Sequence, residues 1–315
     1  MRRAIELAAG ARSTASPNPW VGCVIVPTGS EGATEAPGGR HAERVALDVA
    51  GDRARGATLV VTLEPCGFHG RTPPCTTGII DAGIERVVVG TADPDERVSG
   101  NGIAQLRAAG IDVDVGVCES QVREQLAPYL THRATGRPWV VLKMALSLDG
   151  RAAAPDGSSK WLTGDAARAD AHRLRAESDA IIVGAGTVRA DDPALTVRSV
   201  AGRDPLRVVL GEAPDGAKVH PALEVEGDLG AILDDLADRD VVQVLVEGGP
   251  TVAAAFHRAG LVNRYVLYLA PILFGGADGL PLFTGPGAST IDEAWRGRII
   301  SVARLGDDLR VELAP

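Results

Sequence analysis

Two stretches of alternating strand and helix signals, separated by one aperiodic segment, constrain this chain more than any other feature. In the first stretch, apolar runs at 19–26, 58–63, 86–89 and 111–115 read as strands. Helical patterns at 75–82 and 102–109 fall between them, the first opening after a Pro-Pro stop. In the second stretch, the strand WVVLKMALSLDG leads into a helix through GDAARADAHRLRAES, and DAIIVGAGTVRADDP gives a strand, a glycine turn and a short helix. LRVVL, VVQVLVEGG and NRYVLYLAPIL supply further strands, while RIISVARL and LRVEL lie close enough to pair as a hairpin at a sheet edge. Strands alternating with helices build a layered α/β sheet covered on both faces. Between the stretches, THRATGRP at 131–138 has no periodicity and carries Gly and Pro, so two domains are expected, 1–134 and 139–315.

The bulk numbers agree with that division and narrow the partners. A chain of 315 residues can bury two cores, and 45% hydrophobic with only 3% aromatic residues makes those cores aliphatic in a soluble α/β class. The longest apolar runs are interrupted by polar residues and fall short of the roughly 20 residues a bilayer span needs, so no membrane partner is expected. Arg2 and Arg3 before an apolar stretch mimic a signal peptide, but Glu6 interrupts it and an amphipathic first helix fits better. With 41 acidic against 32 basic residues the net charge is -9, which disfavours nucleic acid and favours a small-molecule substrate. Four cysteines are too few for a disulfide scaffold, so reduced thiols in the cytoplasm are expected.

Two of those cysteines, Cys66 and Cys75, sit nine positions apart in TLEPCGFHGRTPPC. With His41 of HAE they offer one imidazole and two thiolates, three protein ligands that leave a fourth tetrahedral position of a zinc ion open to water. Glu43 is then a carboxylate beside the metal without ligating it, able to carry a proton from that water to a leaving amine. H-x-E followed by P-C and a second cysteine is the pattern of zinc deaminases. His41 and Cys75 open predicted helices and Cys66 follows a strand, places where backbone N–H groups favour thiolates. His69 as a fourth ligand would close the site and leave Glu43 without a task. Cys23, inside an apolar strand, and Cys118, ending a strand-like run, read as core or surface thiols. In the second stretch, LVEGGPTVAAAF puts two glycines before a helix that starts at Pro250, and VGAGTV makes a similar turn; either can hold a phosphate or simply pack a helix tightly.

These residues resemble the bifunctional riboflavin biosynthesis deaminase-reductase family. PNPWVGCVIV, HAE, TLEPCGFHGRTPPC, LKMALSLDG, SSKWLTG, VGAGTVRADDPALTVR and VEGGPTVAAAFHRAGLVN occur in that family's order over nearly the whole chain. The resemblance implies a cytidine-deaminase-like three-layer domain followed by a dihydrofolate-reductase-like domain. It implies zinc-dependent hydrolytic deamination of a diaminopyrimidinone ribosylamine phosphate, then NADPH-dependent reduction of the ribosyl group to a ribityl chain. It places Asn18 at the pyrimidine, and Ala145, Trp161, Thr187, Asp191 and Gly249, Pro250, Thr251, Val252, Ala253, Ala254 and Ala255 at NADPH. Ser159, Arg175, Leu195, Arg198 and Glu247 fall at the substrate, the two arginines suiting a sugar phosphate. Lys143, Asp191 and Glu247 become candidates for proton handling at the opening sugar ring.

The chain also departs from the family. It is shortened between Arg198 and Asp240, and VVLGEAP puts Gly211 and Glu212 where the family has an acid followed by Ser or Thr near the cofactor. The loop SEGATEAPGGR lacks a histidine often found there, which shifts pyrimidine recognition to Thr34 or Glu35. His69 and Arg71, in the long Cys-to-Cys loop, are further candidates for substrate contact. Three rival readings stay open: a zinc-stabilised nucleotide-binding module without turnover, a nucleic-acid deaminase with an appended domain, and an active deaminase joined to a degenerate reductase. A homo-oligomer is compatible with all of them.

Overall fold

Alanines 4, 8, 11 and 15 line the buried face of the first helix, α1 (Arg2–Ala15), at the spacing of an amphipathic helix. Small side chains bring α1 against β1 (Gly22–Val26) so closely that a Cβ at Gly22 would lie 1.9 Å from the Ala4 carbonyl oxygen. The computed structural model describes residues 1–70 and 72–315 and divides into two units, Met1–Arg137 and Pro138–Pro315.

The first unit continues with β2 (Ser30–Ala33), α2 (Ala42–Ala50), β3 (Thr58–Leu63), α3 (Cys75–Asp81), β4 (Arg86–Thr91), α4 (Asn101–Ala108), β5 (Asp112–Val115), α5 (Glu119–Gln125) and α6 (Ala127–Thr135). Its sheet runs β2-β1-β3-β4-β5, with β1 antiparallel to both neighbours and β3, β4 and β5 parallel. The first strand starts at Gly22 rather than 19, because Val21 N–H donates to the Thr34 side chain instead of a ladder partner. The segment SEGATEAPGGR is not all loop: β2 occupies its start. THRATGRP is not all linker either. The last turn of α6 runs through Thr131–Thr135, on an exposed end whose packing is done by Pro128, Tyr129 and Leu130, and Gly136 ends it at φ 72°.

The second unit holds β6 (Trp139–Ser147), β7 (Arg151–Ala153), α7 (Asp165–Ala176), β8 (Ala180–Gly184), α8 (Ala185–Asp191), β9 (Leu206–Leu210), β10 (Leu223–Val225), α9 (Leu229–Ala237), β11 (Gln243–Val246), α10 (Pro250–Arg258), β12 (Arg264–Ala270), β13 (Leu280–Pro281), β14 (Arg298–Leu305) and β15 (Asp308–Ala314). The sheet order is β10-β9-β8-β11-β6-β12-β15-β14, parallel from β10 to β12 and closed at one edge by the antiparallel β14–β15 hairpin. Every residue of β8 and β11 is buried, which explains the apolar run of β8 and of β11 after Gln243, whose amide bonds the Glu177 carbonyl and Ser178: helices cover both faces. Such a sheet opens its ligand crevice at the carboxyl ends of its parallel strands. Among the described residues no helix is long and apolar enough to cross a membrane.

Candidate active sites

Helix starts and one strand end bring the first site together. His41 is the N-cap of α2, Glu43 lies in that helix's first turn, Cys75 is the first residue of α3, and Cys66 follows β3. His41 Nδ1 lies 3.3 Å from Cys75 Sγ and 3.6 Å from Cys66 Sγ, and the three ligand atoms all fall within 4.8 Å of one another. A tetrahedral zinc with bonds of roughly 2.1–2.3 Å needs its ligand atoms about 3.6 Å apart, so the donor set and spacing fit that ion. His41 Nε2 points away from the cluster toward Thr72 Oγ1, 3.4 Å off, an arrangement that would aim Nδ1 at a metal.

The protonation of this cluster follows from burial and shared hydrogen bonds. The bond to Cys75, and after it that to His41, hold the Cys66 thiol down to about 4, while the bond to Cys66 and burial push Cys75 well up. Cys66 raises His41. Burial pushes the Glu43 carboxyl up to about 7, with His41 pulling the other way. Glu43 is 4% exposed, so it can hold or release a proton near neutrality out of bulk water.

Other residues scaffold this pocket. The Glu64 carboxylate accepts N–H bonds from Asp93 (3.3 Å), Gly100 (3.1 Å) and Ile103 (3.2 Å), tying the strand end before Cys66 to the start of α4. Gln105 Nε2 donates to the Gly67 carbonyl at 2.9 Å, and Gly102 lets α4 touch the Pro65 carbonyl. Neither Glu64 nor Gln105 stood out in the sequence; only the glutamate's place inside LEPC could have flagged the first.

The remaining candidates of this half fall as follows. His69 is exposed, turns Nδ1 to the Gly70 carbonyl at 3.3 Å, and is not in the metal cluster, so it does not close the site. Arg71 lies outside the described residues. The Thr34 side chain accepts from the Val21 N–H, and Glu35 pairs with Arg40 at 2.6 Å. Asn18 is half-buried, its N–H bonded to the Ala15 carbonyl. Cys23 is buried in β1, and Cys118 is half-buried at the head of α5.

In the second unit, Glu247 follows β11 level with Lys143 of β6. Its carboxylate takes both nitrogens of Arg175 at 2.7 and 2.8 Å and lies 3.8 Å from Lys143 Nζ. Burial alone would raise Glu247, but Lys143 and Arg175 more than offset it and bring it down to about 2. His172, one turn before Arg175 on α7, adds to this cluster: burial and then the charges of Arg175 and Arg198 lower it, and its Nδ1 is buried without a partner. Sequence reasoning missed His172, because one histidine among the arginines of a helix carries no signal of its own.

A pocket of about 670 Å³ opens where β8, β9 and β11 end, lined among others by Thr187, Gly249, Pro250, Thr251 and Val252. Neither α8 nor α10 has a side-chain cap, so their first-turn N–H groups remain for a ligand. The other expected contact residues fall as follows. Ala253 and Ala254 are buried in the core face of α10, and the Ala253 N–H is bonded to the Gly249 carbonyl, so they support the pocket from behind. Arg175 is bound to Glu247, and the exposed Arg198 is bonded to Thr196 Oγ1 at 2.9 Å. The Leu195 side chain is buried at φ 52°, so only its strained backbone can face substrate. Asp191 pairs with Lys160 at 3.4 Å. Ser159 is half-buried beside Lys160, and Trp161 is exposed with Arg168 over its ring at 4.7 Å; Ala145 is half-buried on β6 opposite Tyr268, and Ala255 half-buried on α10.

Comparison with known proteins assigns both units. Residues 1–91 match the cytidine and deoxycytidylate deaminase zinc-binding region, and residues 138–311 match the RibD C-terminal domain. The chain is a zinc deaminase with a cytidine-deaminase-like fold, joined to an NADPH-dependent reductase with a dihydrofolate-reductase-like fold. It is 46% identical over 336 residues to the riboflavin biosynthesis protein RibD of Mycobacterium tuberculosis, covering 99% of this chain and 96% of that one. Among solved structures, Acinetobacter baumannii RibD matches with TM-score 0.92 and 38% identity, covering 100% of this chain and 97% of the other. A Thermotoga maritima deaminase/reductase matches with TM-score 0.90 and 38% identity at the same coverage. The chain belongs to the RibD family, the bifunctional deaminase-reductases of riboflavin biosynthesis.

Proposed function

We propose that the chain first deaminates a diaminopyrimidinone ribosylamine phosphate and then reduces its ribosyl group to a ribityl chain. The observation that carries the first step is the buried Glu43 carboxyl beside a zinc-spaced His41, Cys66 and Cys75 cluster. Bound zinc would supply Lewis acidity and bound NADPH a hydride. Glu43 takes a proton from the water that adds to the ring carbon, and returns it to the amine as the carbon–nitrogen bond breaks and ammonia leaves. A carboxyl poised near 7 performs both transfers at neutral pH. Residues 67–70 and 72–74 wall the site.

In the second unit, Lys143 protonates the ring oxygen as the sugar opens, with Glu247 orienting it and Arg175 keeping Glu247 in place. Arg198 holds the substrate phosphate. The first turns of α8 and α10 hold the cofactor's phosphates. The acidic surface and the membrane-free composition support a cytoplasmic enzyme without nucleic-acid or membrane partners. The open edge strand β14, with Ile299 61% and Val302 58% exposed, suits a homo-oligomer.

The test supplies synthetic deaminated intermediate and follows NADPH oxidation. Immediate oxidation is expected, whereas the diamino compound should give oxidation only after ammonia release begins. No oxidation with the intermediate would leave a degenerate reductase, and ammonia release from tRNA or single-stranded DNA alone would make the chain a nucleic-acid deaminase.

A further inference from the structure

The cofactor pocket is asymmetric in charge. Arg189, in the last turn of α8, is the one cation among its lining residues; Glu212 and Glu226 are the carboxylates. Arg189 Nη1 lies 3.4 Å from the Glu212 carbonyl oxygen, and the guanidinium has no ion-pair partner among the described residues. A guanidinium that lines a phosphate-binding pocket and carries no ion pair is matched to a further phosphate.

Sheet topology says which part of a dinucleotide lies there. The reducible sugar must meet Lys143 and Glu247, which stand on β6 and at the end of β11. The hydride-carrying ring therefore lies on the β6 side, and the uncapped start of α10, after β11, takes the pyrophosphate. Continuing away from β6, the sheet order passes β8, β9 and β10. The adenosine ribose thus falls at the ends of β8 and β9, about two strand spacings or roughly 10 Å from β11, beside Arg189. The first residue after β9, where an acid would bond a free ribose 2′-hydroxyl, is a glycine, and Glu212 after it meets Arg189 through its carbonyl oxygen. Gly211 stands there at φ +92°, and a Cβ in its place would press on Ala185 at 3.3 Å.

We propose that Arg189 reads the 2′-phosphate of NADPH and sets this chain's preference over NADH. The assignment rests on the reductase reading above. Nothing in its sequence context marks it, since a basic residue in the last turn of a helix ordinarily complements the helix dipole.

Isothermal titration of the full chain with NADP⁺, NAD⁺, 2′,5′-ADP and 5′-AMP tests the assignment without turnover. The parent should bind 2′,5′-ADP more tightly than 5′-AMP by about tenfold or more, the value of a charge-assisted bond. Arg189→Met should lose that advantage while 5′-AMP binding changes by less than about twofold, and Arg189→Lys should keep part of it. A Met variant that retains the preference, or weakens both mononucleotides alike, overturns the role of Arg189 and leaves the reductase reading standing. A parent that binds neither dinucleotide overturns both.

Discussion

Removing Arg175 should cost the second unit about 3 kcal/mol at neutral pH. Glu247, whose side chain is 8% exposed, would keep only Lys143 at 3.8 Å after Arg175→Met, losing charge-assisted bonds of 2.7 and 2.8 Å. Breaking a buried pair from one side costs about 3–5 kcal/mol, and the remaining lysine moves the expectation to the low end. The carboxyl agrees in direction: Lys143 and Arg175 together hold Glu247 down from 4.5 to about 2, so losing Arg175 removes part of that stabilisation. The sign follows from linkage. A depressed carboxyl stabilises the fold above its unfolded value of 4.5 and loses that contribution as pH falls toward 2. Thermal melts of parent, Arg175→Met, Glu247→Gln and the double variant at pH 7 should show the first variant melting about 6–12 °C lower. The double variant should recover most of the loss, and the gap should shrink between about pH 5 and pH 2. An unchanged melting temperature for Arg175→Met, or a double variant that loses the sum of the singles, would refute the reasoning.

Three further changes probe the first unit. Thr72→Val removes the oxygen facing His41 Nε2 at 3.4 Å, and zinc affinity measured by chelator competition should fall roughly 10- to 100-fold with the fold intact. Gly102→Ala puts a Cβ 1.9 Å from the Pro65 carbonyl, next to Cys66, so melts should drop by about 1–3 kcal/mol and zinc content should fall with them. Burial pushes Asp93 up to about 6 from 3.8, so its ionisation costs stability above pH 6, by at most about 3 kcal/mol, a cost that disappears as pH falls through 3.8. Asp93→Asn, which can still accept from Tyr129 at 3.1 Å, should therefore melt higher than the parent at pH 8 and no higher at pH 4.

Chemistry that demands particular residue types at particular backbone positions was the legible part. An imidazole, two thiols and a spare carboxylate at helix starts and a strand end can be read without coordinates, and the structure gathers His41, Cys66 and Cys75. The buried parallel strands were legible for a similar reason, since β8 and β11 after Gln243 are apolar on both faces. Elements held by packing elsewhere left little trace: the end of α6 is an exposed turn, and β2 is a short strand of Ser, Glu, Gly and Ala. Residues that work through distant partners were the least visible. The pairing of Arg175 with Glu247, 72 positions away, leaves no mark in the sequence. Arg189 reads as a helix-end charge until β9 and α10 close a pocket around it.

The central claim is that Glu43 moves the proton in hydrolytic deamination at a zinc held by His41, Cys66 and Cys75. Ammonia release from the diaminopyrimidinone nucleotide, measured for the parent and for Glu43→Gln at matched zinc content, tests it most directly. The account predicts stoichiometric release by the parent and a fall of at least about 100-fold in the variant, the scale of lost general acid–base catalysis. Equal release by the two, or none by the parent, would contradict it.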